Sequence, residues 1–255
     1  MIFDALKKLM GKNEKALPSQ PTKGTVLSRI TFPGSYKSPS GGFCNYARFS
    51  GRGINPSTGR SNQIKEVYAK TLDAALAKAE RETGFQNIEL SLVPMDPPTE
   101  KQIGFAKELR IQIPSEACKE DMICLISRVA DSLEDEPLPG CPQSFANYLD
   151  KAGIQFSAYI SEPMALEWAA NMLPTWEKCR FYAYCVWCHS RNESLTAPDI
   201  HPNANLFSTF ADRFAEDSAF LQGLQKKSVF NFIRPNGNEG TVKVVKAFFG
   251  EFNKL

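Results

Sequence analysis

No stretch of this chain approaches the ~18 consecutive apolar residues that a membrane-spanning helix needs. Histidine is scarce, with two in 255 residues, so any Cys–His nucleophile pair would have to use His189 or His201. No G-x-S-x-G, H-E-x-x-H or P-loop string occurs, and the nucleophile-elbow, zincin and phosphate-cradle chemistries lose their sequence support. Internal repeats and low-complexity tracts are absent as well. What is present is ordinary for a globular chain: 42% hydrophobic and 23% charged residues. That composition excludes a disordered chain, a collagen and a bare coiled coil. The length allows one large domain or two to three small ones.

The seven cysteines, at 44, 118, 124, 141, 179, 185 and 188, form an odd and scattered set. Such a set does not read as a disulfide framework. The apolar start MIFDALKKLM is interrupted by Asp4, Lys7 and Lys8, so no signal peptide is expected there. The expectation is a cytoplasmic protein with free thiols, no transmembrane segment and no cofactor.

Charge is unevenly spread. Residues 1–95 hold 14 Lys/Arg against 7 Asp/Glu, residues 96–139 hold 5 against 10, and residues 140–255 hold 11 of each. Before Glu66 there are 11 bases and only two acids, Asp4 and Glu14. Local basicity of this kind is the footprint of a polyanion partner. The alternative is a basic half docked on an acidic one, or simply solvated.

Four regions follow from patterning. Residues 1–23 hold an amphipathic helix (Ile2, Phe3, Ala5, Leu6, Leu9 and Met10 on one face) and a Pro/Ser linker. Residues 24–95 read as a small basic α+β domain. Its strands are GTVLSRITF, FCNYARFSGRGI and RSNQIKEVYAKTL, followed by the helix TLDAALAKAERETG with Gly84 as C-cap and the strand NIELSLVPM. Residues 96–139 form an acidic helix-extended-helix module. Thr99 is its first N-cap, and neither Glu100 nor Gln102 is expected to complete a capping box with it. Residues 140–255 are mainly helical. ANLFSTFADRFAEDSAFLQGLQK reads as one helix, and GTVKVVKAFFGEF fits a helix somewhat better than a strand. The fold class is α+β, with one small antiparallel sheet and a helical remainder.

The run YARFSGRGINPSTGRSNQIKEVYAKTLDAALAKAE resembles the arm-type DNA-binding domains of tyrosine integrases over residues 46–80. The match is carried by the turn residues Gly53, Asn55, Pro56, Thr58, Gly59 and Arg60. The resemblance implies that the sheet face enters a major groove and that Arg48, Arg52, Arg60 and Lys65 face nucleic acid. The strand at 87–93 departs from that family's pattern. Residues 99–131 resemble a SAP-like module through Leu109, Ile111, Lys119, Leu125 and Ile126, with Arg110 in the place of the usual Gly. The net charge of −5 over residues 96–139, which contain it, suits a protein contact better than DNA. With FYAYCV and the downstream pattern of His201, Pro202, Phe207, Phe210, Ala211 and Phe214, the overall layout is similar to uncharacterised bacterial or mobile-element proteins, some with HIRAN-like N-terminal parts.

Two constellations remain. Cys185-Val-Trp-Cys188-His189 spells a haem c attachment string, but it sits inside the aromatic run FYAYCVWC and reads as a core helix. Cys179, Cys185, Cys188, His189 and His201 are also a stereochemically allowed zinc set. On a helix, positions 185, 188 and 189 share a face. Around the second strand, alternation places Tyr46, Arg48 and Ser50 opposite Ala47, Phe49 and Gly51. The first set then offers stacking plus charge, unless Phe43 and Phe49 are core and Tyr46 lies at its rim.

The function expected from sequence is non-enzymatic nucleic-acid binding, to DNA or RNA, mainly by phosphate contacts of Arg48, Arg52, Arg60, Lys65 and Lys70 with Tyr46 beside them. The alternatives are a protein-interaction adaptor or inhibitor, as a homo-oligomer or with another partner, and a zinc-dependent hydrolase built on the Cys/His set.

Overall fold

The computed structural model describes residues 36–133 and 136–252. The helix expected over 2–10, the linker after it and the strand expected over 24–32 lie outside those residues. The class is α+β, with one three-stranded antiparallel sheet and, among the described residues, ten helices.

Strands β1 (Ala47–Ile54), β2 (Ser61–Ala69) and β3 (Gln86–Val93) are arranged β2-β1-β3, and helix α1 (Leu72–Thr83) connects β2 to β3. The hairpin between β1 and β2 closes through Asn55. Its side-chain oxygen accepts the Ser57 N–H at 2.9 Å, and its carbonyl accepts the Gly59 N–H at 2.8 Å. Thr71 caps α1 by accepting the Ala74 N–H, and Gly84 ends it in the left-handed conformation. Ala75 and Ala79 bring α1 against Ala47, Phe49, Ile64, Val67 and Ala69. Each large apolar side chain buried there contributes roughly 1.5–3 kcal/mol. Gly51 makes room for β3, since a Cβ at that position would stand 1.8 Å from the Glu89 carbonyl oxygen.

The helical body comprises α2 (Glu100–Glu108), α3 (Lys119–Ala130), α4 (Gln143–Lys151), α5 (Glu162–Met172), α6 (Thr175–Arg191), α7 (Ala204–Phe214), α8 (Ser218–Gln225), α9 (Val229–Ile233) and α10 (Gly240–Glu251). Thr99 and Gln102 do form a reciprocal capping box, because Gln102 is the third helical residue and its Oε1 accepts the Thr99 N–H at 2.9 Å. The single helix expected over 204–226 is two. Asp217 turns out of the first and caps the second by accepting the Phe220 N–H. The segment at 240–251 is helical and buries Val242, Val245, Phe248 and Phe249.

One hydrophobic core runs from Ala106 to Phe249. It takes in Met122, Leu125 and Ile126 of α3, so the apolar packing continues across the 139/140 boundary that the charge pattern suggests. Helix α6 is the axis of this core, with Phe181, Tyr182, Tyr184, Val186 and Trp187 all buried. The sheet is tied to this body by the segment entering β1. The Asn45 N–H donates to the Phe156 carbonyl at 3.0 Å, and the Phe156 N–H donates to Asn45 Oδ1 at 2.8 Å. Among the described residues, no helix is long and apolar enough to cross a membrane.

Candidate functional site

The bases expected to meet nucleic acid fall into two groups. Arg48 is committed within the protein. Its guanidinium donates to Asp96 at 2.5 Å, to Glu66 at 3.1 Å and to the Pro94 carbonyl at 3.1 Å, and its side chain is 19% exposed. Lys70 pairs with Asp150 at 2.8 Å, and Lys37 pairs with Glu116 at 2.7 Å. Tyr46 is buried edge-on against Tyr68, with ring centroids 5.8 Å apart, and presents no stacking face. Phe49 lies in the core beneath α1.

Arg52, Arg60 and Lys65 are exposed and form no ion pair among the described residues. All three belong to the β1–β2 hairpin. Arg52 lies in β1 opposite Gln63, Arg60 lies where the turn re-enters β2, and Lys65 lies in a bulge where two residues of β2 oppose one of β1. The bulge re-aims Lys65 away from strict alternation. The outer face of the sheet also carries acids that alternation along one strand does not show. Glu66 is bonded to Arg48, and Glu89 stands opposite Arg52 in the β1–β3 register. The free positive charge is therefore concentrated toward the hairpin end of the sheet.

Of the expected zinc set, the structure brings together only Cys188 and His201, with Glu193, unnoticed in the sequence, as the third member. Cys179 and Cys185 are buried elsewhere along α6. His189 is exposed in its last turn, where the helix leaves the core, so it does not share the buried face of Cys185 and Cys188. His201 Nδ1 accepts the Asn203 N–H at 3.0 Å, which places the ring proton of a neutral imidazole on Nε2, 3.1 Å from Glu193. Neither nitrogen then has a lone pair for a metal. Burial pushes the Cys188 and Cys179 thiols up to about 11 and the Cys185 thiol well above the usual range. These are poor nucleophiles at neutral pH.

A third cluster joins residues far apart in sequence. Asp121, in the first turn of α3, is fully buried. Its Oδ2 accepts the N–H groups of Phe43 at 3.0 Å and Cys118 at 2.9 Å, and its Oδ1 accepts the Ser157 hydroxyl at 2.6 Å. The Cys44 thiol donates to the same Oδ1 at 3.8 Å and lies 3.8 Å from the Cys118 sulfur. The Cys118 thiol beside it, and burial, hold the Cys44 thiol well above the usual range. Cysteine spacing gave no hint of this cluster, because 74 residues separate its two thiols. The chain matches no family model, no curated protein and no solved structure.

Proposed function

We propose that the protein binds nucleic acid through the β1–β2 hairpin, mainly by phosphate contacts of Arg52, Arg60 and Lys65, without catalysing a reaction on it. The observation that carries this reading is the division among the five bases between residues 36 and 65. Arg48 and Lys37 are neutralised by acids, and the three at the hairpin are exposed without an ionic partner among the described residues. The turn at 55–60 extends past the last paired residues of the three-stranded sheet, Ile54 with Ser61 and Gln86, where exposed bases can meet phosphates. The hairpin also exposes Ser57, Thr58, Asn62 and Gln63, short polar side chains of the kind that bond phosphate and sugar oxygens. Three phosphates neutralised on a duplex give a salt slope of about −3 in log K against log salt. Affinity titrations at several salt concentrations, with the three bases replaced together, test the reading.

The second reading is a protein contact at the sheet edge. Among the described residues β3 has no neighbour on its outer side, and its Leu92 is 50% exposed. A monomer in light scattering, unchanged by Leu92→Lys, removes self-association from this reading.

A further inference from the structure

Two thiolates bound to one zinc ion at about 2.3 Å, subtending a tetrahedral angle, stand about 3.8 Å apart. The sulfurs of Cys44 and Cys118 are 3.8 Å apart. Cys44 Sγ is also 3.8 Å from Asp121 Oδ1, and the ligand atoms of all three residues lie within 4.8 Å of one another. We propose that Cys44, Cys118 and Asp121 hold a structural zinc ion, with a water retained from its hydration shell as the fourth ligand.

The surroundings are those of an outer ligand shell. The carboxylate is held in place by two backbone N–H groups on Oδ2 and by the Ser157 hydroxyl on Oδ1, and loss of the Cys44 thiol proton, which also points at Oδ1, frees a lone pair there for a cation. Binding forms two Zn–S bonds and one Zn–O bond and releases the two thiol protons to solvent, with no change of oxidation state. A dication among three anionic ligands leaves one negative charge. That charge sits at the first turn of α3, where the helix dipole favours it. The contrast with the Cys188–Glu193–His201 group is chemical. There both imidazole nitrogens are engaged, whereas the protons on the two thiols can leave. The ion would join the segment entering β1 to α3 across 74 residues of chain, a long loop whose closure restricts the unfolded chain.

The test uses the full chain, stripped by chelator under reducing conditions and titrated with Co(II) as a spectroscopic stand-in for zinc. The expected result is one equivalent bound, with thiolate-to-cobalt charge-transfer absorption and tetrahedral visible bands that zinc abolishes. Cys44→Ser and Cys118→Ser should each weaken binding at least tenfold, and Cys188→Ala should leave it unchanged. Alkylation with mass-spectrometric readout provides a check independent of variant folding: in the unmutated protein, zinc should protect Cys44 and Cys118 together. Absence of charge-transfer absorption overturns the proposal, as do bands that persist in both serine variants, or that vanish with Cys188→Ala.

Discussion

Arg48 holds Asp96 at 2.5 Å, across the start of β1 and the chain leaving β3. The same guanidinium reaches Glu66 on β2, so one side chain fastens all three strands at one end of the sheet. This makes Arg48 a structural residue in a region whose sequence advertises it as a ligand contact.

Arg48→Ala should therefore lower stability and leave nucleic-acid affinity nearly unchanged. It removes charge-assisted bonds from a mostly covered position, worth about 1–2 kcal/mol together after solvent screening. Urea denaturation gives the first quantity, and an affinity titration at fixed salt gives the second. An unchanged midpoint with a tenfold affinity loss would reverse the assignment.

Asp121→Ala should be among the most damaging single changes in the chain. It leaves the Phe43 and Cys118 N–H groups and the Ser157 hydroxyl without their acceptor in a buried place. Each unsatisfied donor costs about 1–3 kcal/mol, so a loss of at least about 3 kcal/mol is expected by chemical denaturation. Asp121→Asn keeps one acceptor oxygen and should fall between the two.

Alkaline pH should unfold the protein cooperatively. Six of its seven tyrosines are held above the usual phenol value of 10.0 by burial, and Tyr36, Tyr68 and Tyr182 are pushed up to about 12. The folded state binds these protons more tightly than the unfolded state does. The resulting stability is complete below pH 10 and is lost as pH rises through about 12. Tyrosinate absorbance and helical circular dichroism should change together. Phenols that ionise near 10 while the helices persist would contradict this.

Gly51→Ala should break the pairing of β1 with β3. The added methyl would meet a backbone carbonyl at 1.8 Å, which no rotamer change relieves. Loss of the sheet's amide protection in hydrogen exchange, with α6 still protected, is the expected pattern.

The elements that periodicity specifies were legible. The hairpin with its Asn-Pro turn, α1 with its Gly cap, and α6 with its aromatic run follow from local chemistry alone. Legibility stopped where partners come from elsewhere in the chain. Alternation along β1 shows Arg48 as exposed, but its acids come from β2 and from beyond β3. Tyr46 reads as a rim residue until Tyr68 and Met95 close over it. The Cys/His run looked metal-like because its members are near in sequence, yet the Cys44–Cys118–Asp121 group is assembled by tertiary contacts that no spacing reveals. A break such as that at Asp217 depends on a side chain choosing a cap over a helix interior, a choice that periodicity does not register.

The proposed polyanion contact consists of the three hairpin bases. Fluorescence-anisotropy titration of labelled duplex and single-stranded DNA and RNA, at several salt concentrations, compares the unmutated protein with Arg52→Ala/Arg60→Ala/Lys65→Ala. The expected result is salt-dependent binding with a duplex slope of about −3, flattened toward zero in the triple variant while its urea midpoint stays the same. No binding at low salt, or equal binding by the triple variant, would contradict it.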